Sequence, residues 1–192
     1  MRKLIFDYAR MCKKSFKDKN GVVKRIYGAK RNLLHVRGIV IHFTGAGLND
    51  TAKNNADYFA TGIDRQASAH IFIDREGKSA RSLPLSRIAF SVGKCGYEKG
   101  KYYATLSNEN TINIELCGLG SDNNDCRKMT LAQYETLVKV VKWIKTKCPN
   151  VDYIARHYDV VKKNCPAYYV KNPDEWKTIK KGLLLAIKEC EV

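Results

Sequence analysis

The segment Gly38-Ile39-Val40-Ile41-His42 constrains this chain most. Its apolar run is too short for a core helix, and Thr44-Gly45-Ala46-Gly47 breaks it, so it reads as a buried strand that ends on an imidazole. A second strand is written by alternation: Ile112, Ile114 and Leu116 take one face, and Asn113, Glu115 and Cys117 the other. Residues 69–74, followed by the turn Arg75-Glu76-Gly77-Lys78, predict a hairpin, and residues 151–157 predict a further strand.

Helices are expected between these strands. Residues 51–60 predict a short one. The strongest begins at Thr130, where Gln133 completes a capping box; its stripe is Tyr134, Leu137, Val138, Val141, Ile144 and Cys148, and Pro149 stops it. The last opens with Asn172-Pro173-Asp174-Glu175 and buries Trp176, Ile179, Leu183 and Ile187. Ile5, Tyr8, Ala9, Cys12 and Phe16 fall at helical spacing, so residues 3–16 predict an amphipathic helix, followed by a basic loop to about Asn32. The fold class is therefore α/β, a single domain with a central mixed β-sheet flanked by helices. Residues 1–32 are expected to be an extension packed on a domain of residues 33–192.

Composition narrows the partners. The 192 residues suit one domain, and no apolar run approaches the roughly 18 to 20 residues of a membrane span. The basic N-terminus has neither an uninterrupted apolar stretch nor a small-residue cleavage site, so cytoplasmic synthesis without a signal peptide is expected. Thirty-five Lys and Arg against 19 Asp and Glu give a net charge of +16, spread along the chain. Such a field attracts polyanions, whether nucleic acid, anionic membrane or acidic wall polymer. No nucleic-acid module is recognisable, so nucleic acid is not an expected partner. Seven cysteines, an odd number without a CxxC pair, read as reduced thiols rather than a disulfide framework.

There are four histidines: His35, His42, His70 and His157. His42 and His157 each end an apolar strand segment, a rigid place from which to aim an imidazole. Cys165 follows His157 by eight positions, a loop able to bring a thiolate back to an ion held by His157. Two imidazoles and a thiolate make a three-ligand zinc site with a fourth position for water. Singly, each histidine reads more readily as a hydrogen-bonded core residue and the cysteine as a buried one.

Four blocks together resemble the zinc-dependent N-acetylmuramoyl-L-alanine amidases of the phage-endolysin and autolysin type, which share a fold with the peptidoglycan-recognition proteins. GIVIHFTG (residues 38–45) is similar to the block with the first zinc histidine, and SAHIFIDREGK (68–78) to a hairpin whose histidine lines the cleft. NTINIELCG (110–118) resembles the strand carrying the catalytic glutamate, and ARHYDVVKKNCP (155–166) the block supplying a histidine, a lysine and a cysteine. The resemblance implies Zn2+ on His42, His157 and Cys165, Glu115 as general base and acid, Lys163 as an oxyanion stabiliser, and His70 beside the oxyanion or the substrate. Relatives with a tyrosine before the hairpin histidine differ from this chain, which has Ala69, so Glu115 is the expected base. Many relatives have a histidine where this chain has Ser91, which leaves that contact open.

The reaction so implied is cleavage of peptidoglycan between the lactyl group of N-acetylmuramic acid and L-alanine. The non-catalytic peptidoglycan-binding alternative leaves Glu115 and Cys165 unexplained. The muropeptide-recycling alternative typically uses Asp where this chain has Cys165, and a nucleic-acid-binding protein with structural zinc leaves Glu115 idle. Expected partners are peptidoglycan and, by charge, anionic wall polymers. The chain is expected to be a monomer, to lack a wall-binding module after Val192, and to reach the wall in a phage, prophage or lytic context.

Overall fold

A computed structural model describes residues 5–93, 96–120 and 125–190. Cys95, residues 3 and 4 of the expected first helix, and the terminal Val192 lie outside the described residues. The strands are β1 (Tyr8–Ala9), β2 (Ser15–Lys17), β3 (Val23–Arg25), β4 (Tyr27–Lys30), β5 (Gly38–Phe43), β6 (Ile71–Ile73), β7 (Ser79–Arg81), β8 (Arg87–Ala89), β9 (Thr111–Leu116) and β10 (Tyr153–Arg156). The helices are α1 (Ala52–Thr61), α2 (Leu131–Lys147), α3 (His157–Val160), α4 (Ala167–Lys171) and α5 (Pro173–Lys188).

Six strands form one mixed sheet in the order β1-β7-β6-β9-β5-β10. β5 lies between β9 and β10, parallel to both, and is buried as its apolar run requires. Ile39, Ile41, Ile112, Ile114 and Leu116 meet Leu137, Val141 and Ile144 of α2 and Trp176, Leu183 and Ile187 of α5 in one core. Each fully buried isoleucine contributes on the order of 1.5–3 kcal/mol. Alternation sends Val40, His42, Asn113 and Glu115 to the opposite face, which α1 covers only in part; Ala52, Ala56 and Phe59 pack there on Phe72, Ala80 and Cys117.

Asp74 organises the β6–β7 hairpin. Its Oδ1 accepts the Glu76 and Lys78 amides, and its Oδ2 accepts the Ala52 amide at the start of α1. Gly77 takes φ +79 in that turn.

Three expectations are corrected. Residues 5–16 are extended rather than helical: β1 pairs with β7, and the Asp7, Arg10 and Cys12 amides donate to the Ser79, Arg81 and Ser82 carbonyls. A helix of this length is marginal alone, whereas pairing with β7 covers an otherwise open sheet edge, and the segment still buries Cys12. The basic loop is also structured, as a β2–β3 hairpin followed by β4 paired with β8. Finally, the capping box is half made. Thr130 Oγ1 accepts the Gln133 amide, but Gln133 Nε2 turns inward to the Ile73 and Cys117 carbonyls, buried acceptors at the ends of two strands. Among the described residues no helix is long and apolar enough to cross a membrane.

Candidate metal centre and cleft

His42 is the penultimate residue of β5, buried and facing away from the α2–α5 core. His157 follows β10 directly, as the first residue of α3 rather than the last of a strand. From α3 the chain returns through a tight loop in which the Cys165 amide donates to the Lys163 carbonyl and the Tyr158 amide to the Cys165 carbonyl. This loop brings Cys165 back beneath the two histidines.

The three side chains converge. His42 Nδ1 lies 3.1 Å from His157 Nδ1 and 3.9 Å from Cys165 Sγ. Ligands of one tetrahedral zinc ion would lie about 3.3 Å apart for two nitrogens and about 3.6 Å for nitrogen and sulfur. The donor set therefore fits such an ion. His42 Nε2 lies 3.0 Å from Asn113 Oδ1, an atom that only accepts, so Nε2 carries the ring proton and Nδ1 offers its lone pair to the shared point. His157 Nε2 is buried without a hydrogen-bond partner. Burial, followed by the neighbouring His157, holds the His42 pKa well below its ordinary value; burial and Lys163 hold His157 at about 4. Both rings are neutral near pH 7, the form that ligates a metal. Burial pushes the Cys165 thiol pKa up, and Glu115 adds to that rise. In the absence of a cation Cys165 keeps its proton.

Glu115 stands directly across from His42 in the β5–β9 register. Its Oε2 is buried without a hydrogen-bond partner. Burial raises its pKa to about 8, while Lys163 and Arg65 pull the other way. A carboxylate with an unpartnered oxygen beside three convergent donors is placed to hold a water. These residues open into a cleft of about 500 Å3, where Thr44, Tyr58, Phe90, Arg65, Lys163 and Asn164 also form the wall.

His70 is not brought to this cleft. Its Nδ1 accepts the Asn113 amide, leaving Nε2 to donate to the Arg87 carbonyl, and the ring is fully buried with its pKa lowered to about 3. Nε2 also lies 3.1 Å from Arg31 Nη2, so both ring nitrogens are engaged away from the cleft lining, where an oxyanion or substrate contact was expected. Ser91 reaches the cleft, but its hydroxyl donates to the Ser68 carbonyl.

Sequence reasoning placed Asn113 on the Glu115 face without giving it work; a buried amide two residues from that glutamate was the available signal. Arg65 sits in the loop after α1, where no pattern marked it. Replacing Asn113 with Ala frees the His42 ring and is expected to weaken zinc affinity by about 10- to 100-fold, measured by competition with a chelating dye.

Comparison with known proteins agrees with this geometry. The family model described as N-acetylmuramoyl-L-alanine amidase matches residues 32–168. The N-acetylmuramoyl-L-alanine amidase CwlL of Bacillus licheniformis is 29% identical over 161 residues, 78% of this chain and 41% of that protein. The amidase BlyA of Bacillus subtilis (strain 168) is 30% identical over 158 residues, 76% of this chain and 40% of that protein. The chain thus spans about two fifths of the length of these curated relatives. The solved catalytic domain of XlyA superposes with a TM-score of 0.64 at 18% identity, covering 92% of this chain and 97% of that one, a likeness of fold. Because the family match runs over more than half of the chain and takes in the convergent donors, Glu115 and the cleft, the chain belongs to the N-acetylmuramoyl-L-alanine amidase family.

Proposed function

We propose that this chain is a zinc-dependent peptidoglycan hydrolase that cleaves the amide between the lactyl group of N-acetylmuramic acid and the L-alanine of the stem peptide. The observation that carries the reading is the buried, unpartnered Glu115 Oε2 in the same cleft as the His42–His157–Cys165 cluster. A zinc ion, favoured over harder divalent ions by the thiolate, would lower the pKa of a bound water to near 7 and polarise the scissile carbonyl. Glu115 takes a proton from the attacking water and returns it to the leaving nitrogen of L-alanine. Its displaced pKa suits both halves of that exchange. Lys163 places a positive charge on the cleft wall for the developing oxyanion. Asn113 keeps His42 in its ligating tautomer. The place of action is the bacterial cell wall, where the +16 charge favours anionic polymers.

Incubation with purified wall tests the reading. The expected product is free L-alanine amine, released in the presence of zinc and abolished by a chelator. Release of reducing sugar ends would indicate a glycosidase, and wall binding without either product would indicate a binding protein. Cleavage of soluble muropeptides with intact wall left untouched would favour a recycling role.

A further inference from the structure

The β2–β3 hairpin is the part of the fold that the cleft chemistry leaves unused. It forms a two-stranded sheet of its own, and it precedes the residues that the family model matches. Residues 13–25 hold Lys13, Lys14, Lys17, Lys19, Lys24 and Arg25 against a single acid, Asp18. That acid is turned inward: its Oδ1 accepts the Asn20 and Val22 amides, and its Oδ2 lies 3.9 Å from Lys24. Lys14, Lys17, Lys19 and Arg25 are exposed and make no ion pair among the described residues.

The hairpin is rooted at one lip of the cleft. The Lys13 amide donates to the Phe59 carbonyl and Lys13 Nζ to the Thr61 carbonyl; Gln66 Nε2 donates to the Arg25 carbonyl and Ser68 Oγ to the Ile26 carbonyl. Phe59 and Ser68 line the cleft, and Arg65 extends the same positive wall into it. The hairpin's cations are thus carried on an element fixed to the lip of the cleft.

We propose that this hairpin docks a phosphodiester-linked anionic polymer of the wall and so holds the cleft against its substrate. The inference rests on the wall-hydrolase reading above and names the element through which the wall's polyanion is held. The chemistry favours such a polymer over other anionic surfaces. Exposed apolar groups on the hairpin are confined to Val22 and Val23, too little for a membrane-seated face. Its one aromatic ring, Phe16, packs inward, so no base-stacking platform is offered. A row of unpaired cations spaced along a two-stranded ribbon matches phosphates repeated along a flexible chain.

The test uses the full chain carrying Glu115→Gln, so that the wall is not consumed, and measures co-sedimentation with intact walls and with walls stripped of phosphodiester polymer by hydrofluoric acid. The substitution set K14S/K17S/K19S/R25S is compared with K139S/K147S/K181S/K188S, which removes equal charge from α2 and α5. The hairpin set is expected to weaken binding to intact walls by at least about tenfold at low salt, and the helix set by less than about threefold. Stripping is expected to abolish the difference, and binding of the otherwise unaltered chain is expected to fall steeply toward physiological ionic strength. Equal losses for both sets would assign attraction to diffuse charge and overturn the proposal. Undiminished binding to stripped walls, or hairpin-dependent binding to phosphatidylglycerol vesicles without wall binding, would overturn it as well. Soluble muropeptide cleavage by the two substitution sets in the active background separates this outcome from failure of the hydrolase reading; both are expected to match the parent.

Discussion

Glu115→Gln is expected to lower the single-turnover release of L-alanine amines by roughly a hundred- to ten-thousand-fold, with zinc content unchanged. The substitution keeps the shape of the side chain and removes only its capacity to take and return a proton. Glu115 does not belong to the convergent donor cluster, so the ion should stay in place. Oε2 makes no hydrogen bond, so no structural contact is lost at that atom, and the melting temperature should hold or rise as the cost of burying a carboxylate disappears. A variant within about threefold of the parent would remove Glu115 from the reaction.

Cys165→Ala is expected to abolish activity and to leave the protein unable to retain zinc through dialysis. If three ligands share an affinity of roughly 10 kcal/mol, losing one costs on the order of 3 kcal/mol, more than a hundredfold in affinity. The parent's affinity should also depend on pH in a defined sense. His42 and His157 are neutral near pH 7 because burial lowers their pKa values, so they have no proton to surrender. Cys165, whose pKa burial raises, must lose its proton to ligate, and Glu115, at about 8 without a cation, is drawn toward ionisation by one. Affinity should therefore fall as the pH falls, by about tenfold per unit for each proton displaced. Titration calorimetry in buffers of different ionisation enthalpy should count at least one proton released at pH 7, with Glu115 and the bound water adding to the proton from Cys165. A count near zero would mean that the thiolate is not a ligand.

Much of the site was legible because its chemistry rides on strands whose patterns are strong. β5 announces itself as an apolar run and delivers His42, and the alternation of β9 separates Ile112 and Ile114 from Asn113 and Glu115 in the sequence itself. The convergence of His42 and His157 follows because the ends of neighbouring parallel strands lie side by side. What was not legible depends on partners remote in sequence. The spacing of Ile5, Tyr8 and Cys12 suits a helix as well as a strand, and only the free edge of β7, some 70 residues on, decides between them. His70 carries the motif of a cleft residue, yet the Asn113 amide and the Arg87 carbonyl, contributed by other strands, take both of its nitrogens. Gln133 likewise leaves its cap because two distant carbonyls need a donor.

The most direct measurement is zinc X-ray absorption on protein carrying one equivalent of the metal. Two imidazoles, one thiolate and a water predict a single sulfur at about 2.3 Å and three lighter atoms at about 2.0–2.2 Å, with the sulfur lost in Cys165→Ser. A shell without sulfur, or one closed by a fourth protein ligand in place of water, would contradict the hydrolytic account.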